Sequence, residues 1–401
     1  MRAGSRFDNG SPPLQSIYIY LTDECNQMCP HCWISPVAVG RSRVSRPDIE
    51  QYTRFIDAAL PLGLDYVKLT GGEPLLRKET FPIIEHAARC GAYAGLETNA
   101  MLVGEKEAEF LKKQRVHVSV SLDGSCPEVH DRRRGLKGAF QRTVRALKLL
   151  AQSGVPLTVT TALSRSNYGE LEKILELLCD IKGSGRLDLK INPIVPMGRA
   201  SFMKKSGETL QPHELLDLVE SVRNEYLPRS RARGVGIVLQ LELAFFPIDS
   251  ILRREGTAGA GHCGFLNLIS LLADGSITFC GIGYTRRDLV MGNIRGEYDL
   301  PGLWKSHPQM LAVRRRVLEN LDGVCGSCLF HPVCLGGCRA AAVAVEGSIA
   351  GSPPWCQALY NAGLFPPSRL NDEAATEYAR IAPRLKADYE DHSGPAETVQ
   401  A

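Results

Sequence analysis

At 401 residues, 44% of them hydrophobic and 23% charged, the chain is long enough for two domains and has the ordinary balance of a globular protein. Its net charge of +3 gives no electrostatic case for nucleic acid or an anionic membrane as partner. No apolar run is long enough to span a bilayer, and the polar, Gly/Pro-rich opening from Met1 to Pro13 does not read as a secretory signal, so a cytoplasmic location is expected.

From Ser16 to about Gln240, strand-like and helix-like runs alternate. Short β-branched and apolar runs predict strands at Ile17–Leu21, Tyr66–Thr70, Ala94–Thr98, Val116–Leu122, Pro156–Ala162 and Leu187–Ile194. Amphipathic stretches between them predict helices at Asp48–Leu60, Glu79–Cys90, Glu105–Lys113, Ala139–Ser153 and Tyr168–Ile181. Such alternation implies an α/β fold with parallel strands and right-handed crossovers. Six units suit a partial (β/α)6 TIM-like barrel; pattern alone leaves a doubly wound sheet open. Gln211–Arg233 reads as a helix stopped by Gly234, and Val235–Leu243 as one more strand. From Cys263 the chain turns Gly-rich and cysteine-rich, and Asn371–Asp391 reads as a charged helix before a polar tail. The expected partition is a tail over 1–15, the barrel over 16–245, a bridge over 246–262, a cysteine-rich domain over 263–356 and a C-terminal helix and tail over 357–401.

Cys25, Cys29 and Cys32 follow the first strand as C-x3-C-x2-C. Iron–sulfur clusters usually take four thiolates, so three suggest a four-iron cluster with one iron left open. A closed zinc site also wants four ligands. His31 is awkwardly placed between Pro30 and Cys32 to be the fourth, but on this motif alone zinc stays open. Gly71-Gly72-Glu73-Pro74 follows the second strand, Glu97-Thr98-Asn99 ends the third, and Ser121 and Asp123 close the fourth. Chemistry in parallel α/β folds gathers at these carboxyl ends. A second set comprises Cys263, Cys280, Cys325, Cys328, Cys334, Cys338 and Cys356, with Gly275 between the first two. Ten of thirteen cysteines thus sit in motif-spaced sets, which favours metal-bound thiolates in a reduced compartment over disulfides. Cys90, Cys126 and Cys179 are expected to be structural, Cys90 and Cys179 as small buried hydrophobes. The runs Arg132-Arg133-Arg134 and Arg314-Arg315-Arg316 read as solvated faces or local anion contacts.

On Cys25-Asn26-Gln27-Met28-Cys29-Pro30-His31-Cys32 and the later glycines, the chain resembles the radical S-adenosylmethionine (SAM) enzymes. The order and spacing of the seven later cysteines resemble the SPASM extension, which carries auxiliary iron–sulfur clusters. The resemblance implies a partial barrel whose [4Fe-4S] cluster, on Cys25, Cys29 and Cys32, binds SAM. A reductant protein of the flavodoxin or ferredoxin type would supply the electron that cleaves SAM to methionine and a 5′-deoxyadenosyl radical, which takes hydrogen from substrate. Carried over residue by residue, Gly71, Gly72 and Glu73 meet the SAM amino group. Ser121 contacts SAM, and Arg134 pairs with its carboxylate, with Arg133 one residue away as the rival. His31 stands where many relatives have Tyr or Phe stacked on adenine, and some haem-pathway relatives have His; simple loop packing is the alternative. Asn99 touches ribose or caps the next helix. Two auxiliary [4Fe-4S] clusters are implied: Cys325, Cys328, Cys334 and Cys356 hold the outer one, and Cys263, Cys280 and Cys338 the inner one, with its fourth ligand open or supplied by His262 or substrate.

The resemblance implies an enzyme acting most readily on a ribosomally made peptide or protein side chain. The alternative is a small-molecule enzyme of a haem or other cofactor pathway, and the non-enzyme alternative a zinc or iron–sulfur binding module. Sulfatase maturases carry a catalytic Asp directly after the cysteine matched by Cys280; Gly281 disfavours that activity. About 24 residues before Cys25 are too few for a fused peptide-recognition domain, so a peptide substrate is expected to come with a separate carrier protein or to bind directly. No general base is evident; Glu242, Tyr284 and Arg199 are pocket candidates for which surface or packing roles are preferred.

Overall fold

The computed structural model describes residues 11–182, 185–253 and 264–392. All six expected strands form: β1 (Ser16–Thr22), β2 (Tyr66–Gly71), β3 (Tyr93–Thr98), β4 (His117–Ser121), β5 (Leu157–Leu163) and β6 (Leu187–Pro193), each parallel to the next. Beyond β6 the sheet adds β7 (Gly236–Leu239), a shorter strand than expected. On the other side of β1 lie β8 (Leu268–Leu271), β9 (Ser276–Thr278) and β10 (Gly292–Asn293), so the ten strands run β10-β9-β8-β1-β2-β3-β4-β5-β6-β7. β8 is parallel to β1, with Ser16 opposite Leu268, while β9 and β10 return antiparallel.

The connections are the expected helices: α1 (Ile49–Ala59), α2 (Thr80–Arg89), α3 (Glu105–Lys113), α5 (Ala139–Gln152) and α6 (Leu171–Ile181). A further helix, α4 (Pro127–Arg134), follows β4. It has no amphipathic stripe, because its buried side chains are His130, Arg133 and Arg134. Asp48 caps α1 by accepting from the Gln51 N–H at 2.8 Å, and Gln51 returns the bond; such boxes satisfy two otherwise orphaned donors.

The strands alternate sharply. Ile17, Ile19, Val67, Leu69, Leu96, Val118, Val120, Val159, Leu189 and Ile191 are fully or almost fully buried on the face covered by helices, as period-2 strands require. The opposite face carries Tyr18, Lys68, Glu97, Ser119, Thr160 and Lys190, all partly accessible. These lumen residues satisfy one another. Lys68 Nζ lies 2.9 Å from Glu97 Oε1 and 3.6 Å over the Tyr18 ring, Thr70 donates to Glu97 at 2.8 Å, and Ser119 meets Thr160 at 3.0 Å. The result is a partial barrel with an apolar outer layer and a polar interior.

Among the described residues, those within 11–209, 226–238 and 264–314 form one compact unit, and those within 210–225, 239–253 and 315–392 the other. The first holds the sheet and its helices. In the second, α-helices at Pro212–Ser221, Arg339–Glu346 and Pro354–Asn361 accompany the long terminal helix Asp372–His392. No helix among the described residues is long and apolar enough to cross a membrane.

The two faces of β2 and β5 should respond differently to substitution. Leu69→Ala removes a fully buried side chain and should lower the unfolding free energy by about 2–5 kcal/mol. Thr160→Val on the lumen side should change it by less than about 1.5 kcal/mol. Equilibrium denaturant unfolding of both variants measures the difference.

Candidate active site

The loop after β1 is stapled to its neighbours by backbone. At its start, Gly72 N–H donates to Thr22 O at 2.7 Å and Glu73 N–H to Glu24 O at 2.8 Å. A Cβ on Gly72 would lie 1.9 Å from Glu24 O; Gly71 has φ +120°, and its Cβ would lie 2.6 Å from Thr22 O. The steric demand for both glycines therefore comes from the cysteine loop itself. On a second side, Met28 N–H donates to Arg134 O at 3.2 Å, and Gly135, with φ +63°, packs on the Met28 carbonyl. On a third, Arg199 N–H donates to Cys32 O at 3.0 Å, and a Cβ on Gly198 would meet Trp33 O at 2.1 Å. Arg199, a pocket candidate in sequence, is a clamp on this loop.

Cys25 and Cys29 are buried and Cys32 is partly exposed. Donors aim at the buried sulfurs: Gln27 N–H lies 3.4 Å and Asn99 Nδ2 3.9 Å from Cys25 Sγ, and Arg134 Nη1 lies 3.8 Å from Cys29 Sγ. Such donors suit thiolates. Without a cation, burial holds both as thiols, pushing Cys25 up to about 12 and Cys29 upward; a bound metal is what would supply the compensating charge.

Behind the loop is a buried charge cluster. Asp123, fully buried just past β4, has Oδ2 2.9 Å from Arg134 Nη2, 3.2 Å from His31 Nε2 and 3.9 Å from Arg133 Nε. Its Oδ1 accepts the Ala162 N–H at 2.9 Å. Although burial opposes ionisation, the Arg134 and His31 contacts hold this carboxyl far below the usual carboxylate range. His31 is pushed down by burial despite Asp123. The two arginines separate clearly. Arg133 donates to Ala162 O at 2.7 Å and to the hydroxyls of Ser164 at 2.8 Å and Ser166 at 3.1 Å, whereas Arg134 lies beside Cys29 and Asp123. Nε of Arg134 and Nδ1 of His31 are buried with no hydrogen-bond partner; the Arg134 N–H is a free donor suited to an anionic ligand, and Nδ1 of neutral His31 is a free acceptor.

The other expected SAM-site residues fall around this loop with distinct partners. The Glu73 carboxylate is buried and accepts from Leu75 N–H at 3.0 Å, the Thr98 hydroxyl at 2.7 Å and Asn99 N–H at 2.8 Å, tying the ends of β2 and β3 together. Asn99 donates to Asn26 Oδ1 at 2.6 Å and accepts from Met101 N–H at 3.1 Å, closing a local turn while facing Cys25. Ser121, partly exposed, is the last residue of β4.

Cys280 belongs to the same unit as this loop. Next to it, Gly281 N–H donates to the Tyr20 hydroxyl at 3.1 Å, and Tyr20 packs edge-on against Trp33 and Tyr284, with centroids 6.0 and 5.5 Å apart. A Cβ at Gly281 would lie 2.2 Å from the Trp33 ring. Tyr284, another pocket candidate, is a packing residue here.

In the second unit, Cys325, Cys328, Cys334 and Cys356 line one small pocket together with Glu242 and Phe330. Leu335, Gly336 and Gly337 all have left-handed backbones, φ +53°, +71° and +60°. They turn the chain between Cys334 and the exposed Cys338. The Glu242 side chain occupies the space a Cβ on Gly337 would need. Burial raises the Glu242 carboxyl to about 7 and leaves Oε2 without a hydrogen-bond partner. Of the surface and packing roles expected for Glu242, the surface one is overturned: it is a buried, packed side chain lining the thiol pocket. Cys263 and His262 lie outside the described residues. Among the described residues, no three ligand atoms from either cysteine set gather within 4.8 Å of one another.

Cys90 does not meet its expectation as an inert buried thiol. It is partly exposed at the end of α2, 3.6 Å from His86 Nε2 and 3.7 Å from Asp57 Oδ1.

Parallel strands with a three-cysteine loop at their carboxyl ends define the radical SAM class of enzyme. Residues 19–178 match the family model described as the Radical SAM superfamily, which makes that segment a radical SAM domain. It is 27% identical over 358 residues to an AdoMet-dependent heme synthase of Oleidesulfovibrio alaskensis, covering 87% of this chain and 88% of the relative. It is 26% identical over 349 residues to a PqqA peptide cyclase of Rhizobium meliloti, covering 86% and 87%. Among solved structures it resembles Streptococcus suis SuiB bound to precursor peptide SuiA, with TM-score 0.65 and 18% identity over 86% of this chain and 76% of that one. It also resembles anSMEcpe with bound AdoMet and the Cp18Cys peptide, with TM-score 0.64 and 20% identity over 95% and 100%. The cysteine-rich C-terminal region is consistent with enzymes of the SPASM type, and the radical SAM domain implies a SAM-binding [4Fe-4S] cluster.

Two outcomes follow from the site. Gly72→Ala should displace Glu24 and open the loop, and anaerobically reconstituted protein should then lose about four irons per chain, as measured by iron content and the electron paramagnetic resonance signal of the reduced cluster. His130, buried beside Arg134, accepts the Asp123 N–H at Nδ1 at 3.1 Å and is pushed down from 6.5 to about 3. Its neutral form stabilises the fold above about pH 6.5, and that contribution is lost as pH falls toward 3. Between pH 7.5 and 5.5 the wild type should therefore lose about 1.4 kcal/mol more than His130→Asn, whose amide oxygen can accept the same bond without titrating. Denaturant unfolding at the two pH values reads this.

Proposed function

We propose that this radical SAM enzyme modifies a peptide or protein side chain, with Cys25, Cys29 and Cys32 holding the SAM-binding cluster at the mouth of the lumen. When bound there, the cluster and SAM supply a 5′-deoxyadenosyl radical that removes hydrogen from substrate. The chain's own residues position and enclose that chemistry. Arg134 is the cation for the SAM carboxylate, and Asp123 holds Arg134 and His31 in place. Gly71, Gly72, Glu73, Ser121 and Asn99 form the surrounding strand-end wall. Cys325, Cys328, Cys334 and Cys356 hold an outer auxiliary cluster; Cys263, Cys280 and Cys338 contribute to an inner one. In this reading 16–245 is the radical SAM segment and 263–356 the SPASM segment, a flavodoxin- or ferredoxin-type protein supplies the electron, and the enzyme works in the cytoplasm.

The observation carrying the peptide reading is the lumen. Its side chains already make polar contacts with one another, with Lys68 2.9 Å from Glu97. Those donors and acceptors match a peptide's backbone and side-chain groups. Relatives that cyclise a peptide and a structural neighbour holding a precursor peptide support it. Sulfatase maturation is disfavoured further, because an Asp at position 281 would meet Trp33 and Tyr20. A small-molecule reading in the haem pathway draws on His31 and on the heme synthase relatives.

Anaerobic reconstitution should give about twelve irons per chain and release 5′-deoxyadenosine from SAM, and Cys25→Ala should abolish that release. Turnover with peptides encoded by neighbouring short reading frames should change peptide mass in step with 5′-deoxyadenosine. Turnover on a carboxylated tetrapyrrole instead would assign the alternative, and stoichiometric zinc with no SAM cleavage would refute the radical reading.

A further inference from the structure

The polar partners of Cys90 form a compact ligand set away from both cysteine motifs. Asp57 on α1, His86 on α2 and Cys90 just after α2 place a carboxylate oxygen, an imidazole nitrogen and a sulfur all within 4.8 Å of one another. The separations are 2.7 Å for His86 Nε2 to Asp57 Oδ1, 3.6 Å for Cys90 Sγ to His86 Nε2 and 3.7 Å for Cys90 Sγ to Asp57 Oδ1. His86 and Cys90 stand four residues apart, which stacks them on one helical face, and α1 packs against α2.

Two readings of such a trio compete. In a nucleophilic relay, the base turns one ring nitrogen to the thiol and the other to the carboxylate. Here the same nitrogen, Nε2, faces both. All three donor atoms converge on one point instead, which is the arrangement a single ion needs. Bond lengths of about 2.3 Å to sulfur and about 2.0–2.2 Å to nitrogen and oxygen put the S···N and S···O edges of a tetrahedral zinc site at roughly 3.5–3.6 Å. The observed 3.6 and 3.7 Å are close to those edges, and only the N···O edge, now a hydrogen bond, must open by roughly 0.6 Å.

We propose that Asp57, His86 and Cys90 bind a divalent zinc ion, with the fourth position taken by water. The donor set of one thiolate, one imidazole and one carboxylate favours zinc over magnesium or calcium. Binding forms one Zn–S, one Zn–N and one Zn–O bond, and the Cys90 thiol proton leaves to solvent. The His86 side chain is 16% and that of Asp57 52% exposed, so the ion enters directly from solution. α1 and α2 both end here, just before β2 and β3 begin, at the amino ends of the strands. The site is therefore at the opposite end of the barrel from the cysteine loop. Positions at that end serve stability rather than chemistry, so the ion acts as a cross-link between two helices.

The test uses the anaerobic holoenzyme with its clusters intact, equilibrated with zinc in a chelator buffer and then desalted. Metal content should show one zinc equivalent per chain that Cys90→Ser, His86→Ala and the exposed Asp57→Ala each lose, with iron content and SAM cleavage unchanged. Zinc-edge X-ray absorption of the wild type should show one sulfur among four ligands. Zinc retained equally by all three variants, no uptake by the wild type at micromolar free zinc, or a sulfur-rich first shell would overturn the proposal.

Discussion

Asp123 is the constraint on which the site rests. A carboxylate with no solvent contact is costly unless cations and donors surround it. Here they come from three separate pieces of chain: His31 from the cysteine loop, Arg133 and Arg134 from α4, and the Ala162 backbone from β5. Its ionised state is thus a statement about assembly, since the charge is tolerable only once those pieces have come together. Arg134 passes the effect on, because the same guanidinium that balances Asp123 lies beside Cys29. Removing the carboxylate would leave buried cations facing one another around a site meant to be negative.

Much of this was legible in sequence because its signals are periodic or spaced. The six strands carry period-2 burial, the helices a clean apolar stripe, and the cysteines a fixed spacing. The strand-end positions of Gly71, Gly72, Asn99 and Ser121 followed from topology alone. What escaped lacks such a signal. α4 reads Pro-Glu-Val-His-Asp-Arg-Arg-Arg, which any hydrophobic pattern scores as solvent-exposed, yet Asp123 draws its His130, Arg133 and Arg134 inside. The run Arg314-Arg315-Arg316 misleads similarly: Arg314 is buried over the Trp304 ring, 4.0 Å from its centroid, and donates to the Trp304 carbonyl at 2.7 Å. β8 was hidden by brevity, four buried residues in a Gly-rich surround. The Asp57, His86 and Cys90 grouping needs two helices in contact, which a linear reading does not supply.

The second unit solves a different electrostatic problem. Its thiol pocket collects cysteines that burial alone would keep protonated, Cys325 at about 11 and Cys334 at about 12. Nearby cations offset part of the cost of ionising them. Arg339 is buried and donates to the carbonyls of Ile349 and Gly351 at 3.0 and 2.7 Å. Arg369 sits over Phe330 and donates to Phe246 O at 3.1 Å. Both guanidiniums are fixed by backbone oxygens, which leaves their charge directed at the pocket by the fold rather than by flexible pairing.

The pairing of β8 with β1 joins residues about 250 positions apart. Strand β1 and its cysteine loop are made first, but the Tyr20–Trp33–Gly281 packing that covers one side of that loop needs residues synthesised much later. Contacts of such sequence separation form late, because the chain between must close before they are rewarded. During synthesis, Cys25, Cys29 and Cys32 therefore emerge with that flank unsealed, and the fold closes over them only when the final third of the chain arrives. The order of biogenesis is built into the sheet: iron has a period of open access to these thiols before the Trp33 flank is covered, and oxidants share the same window.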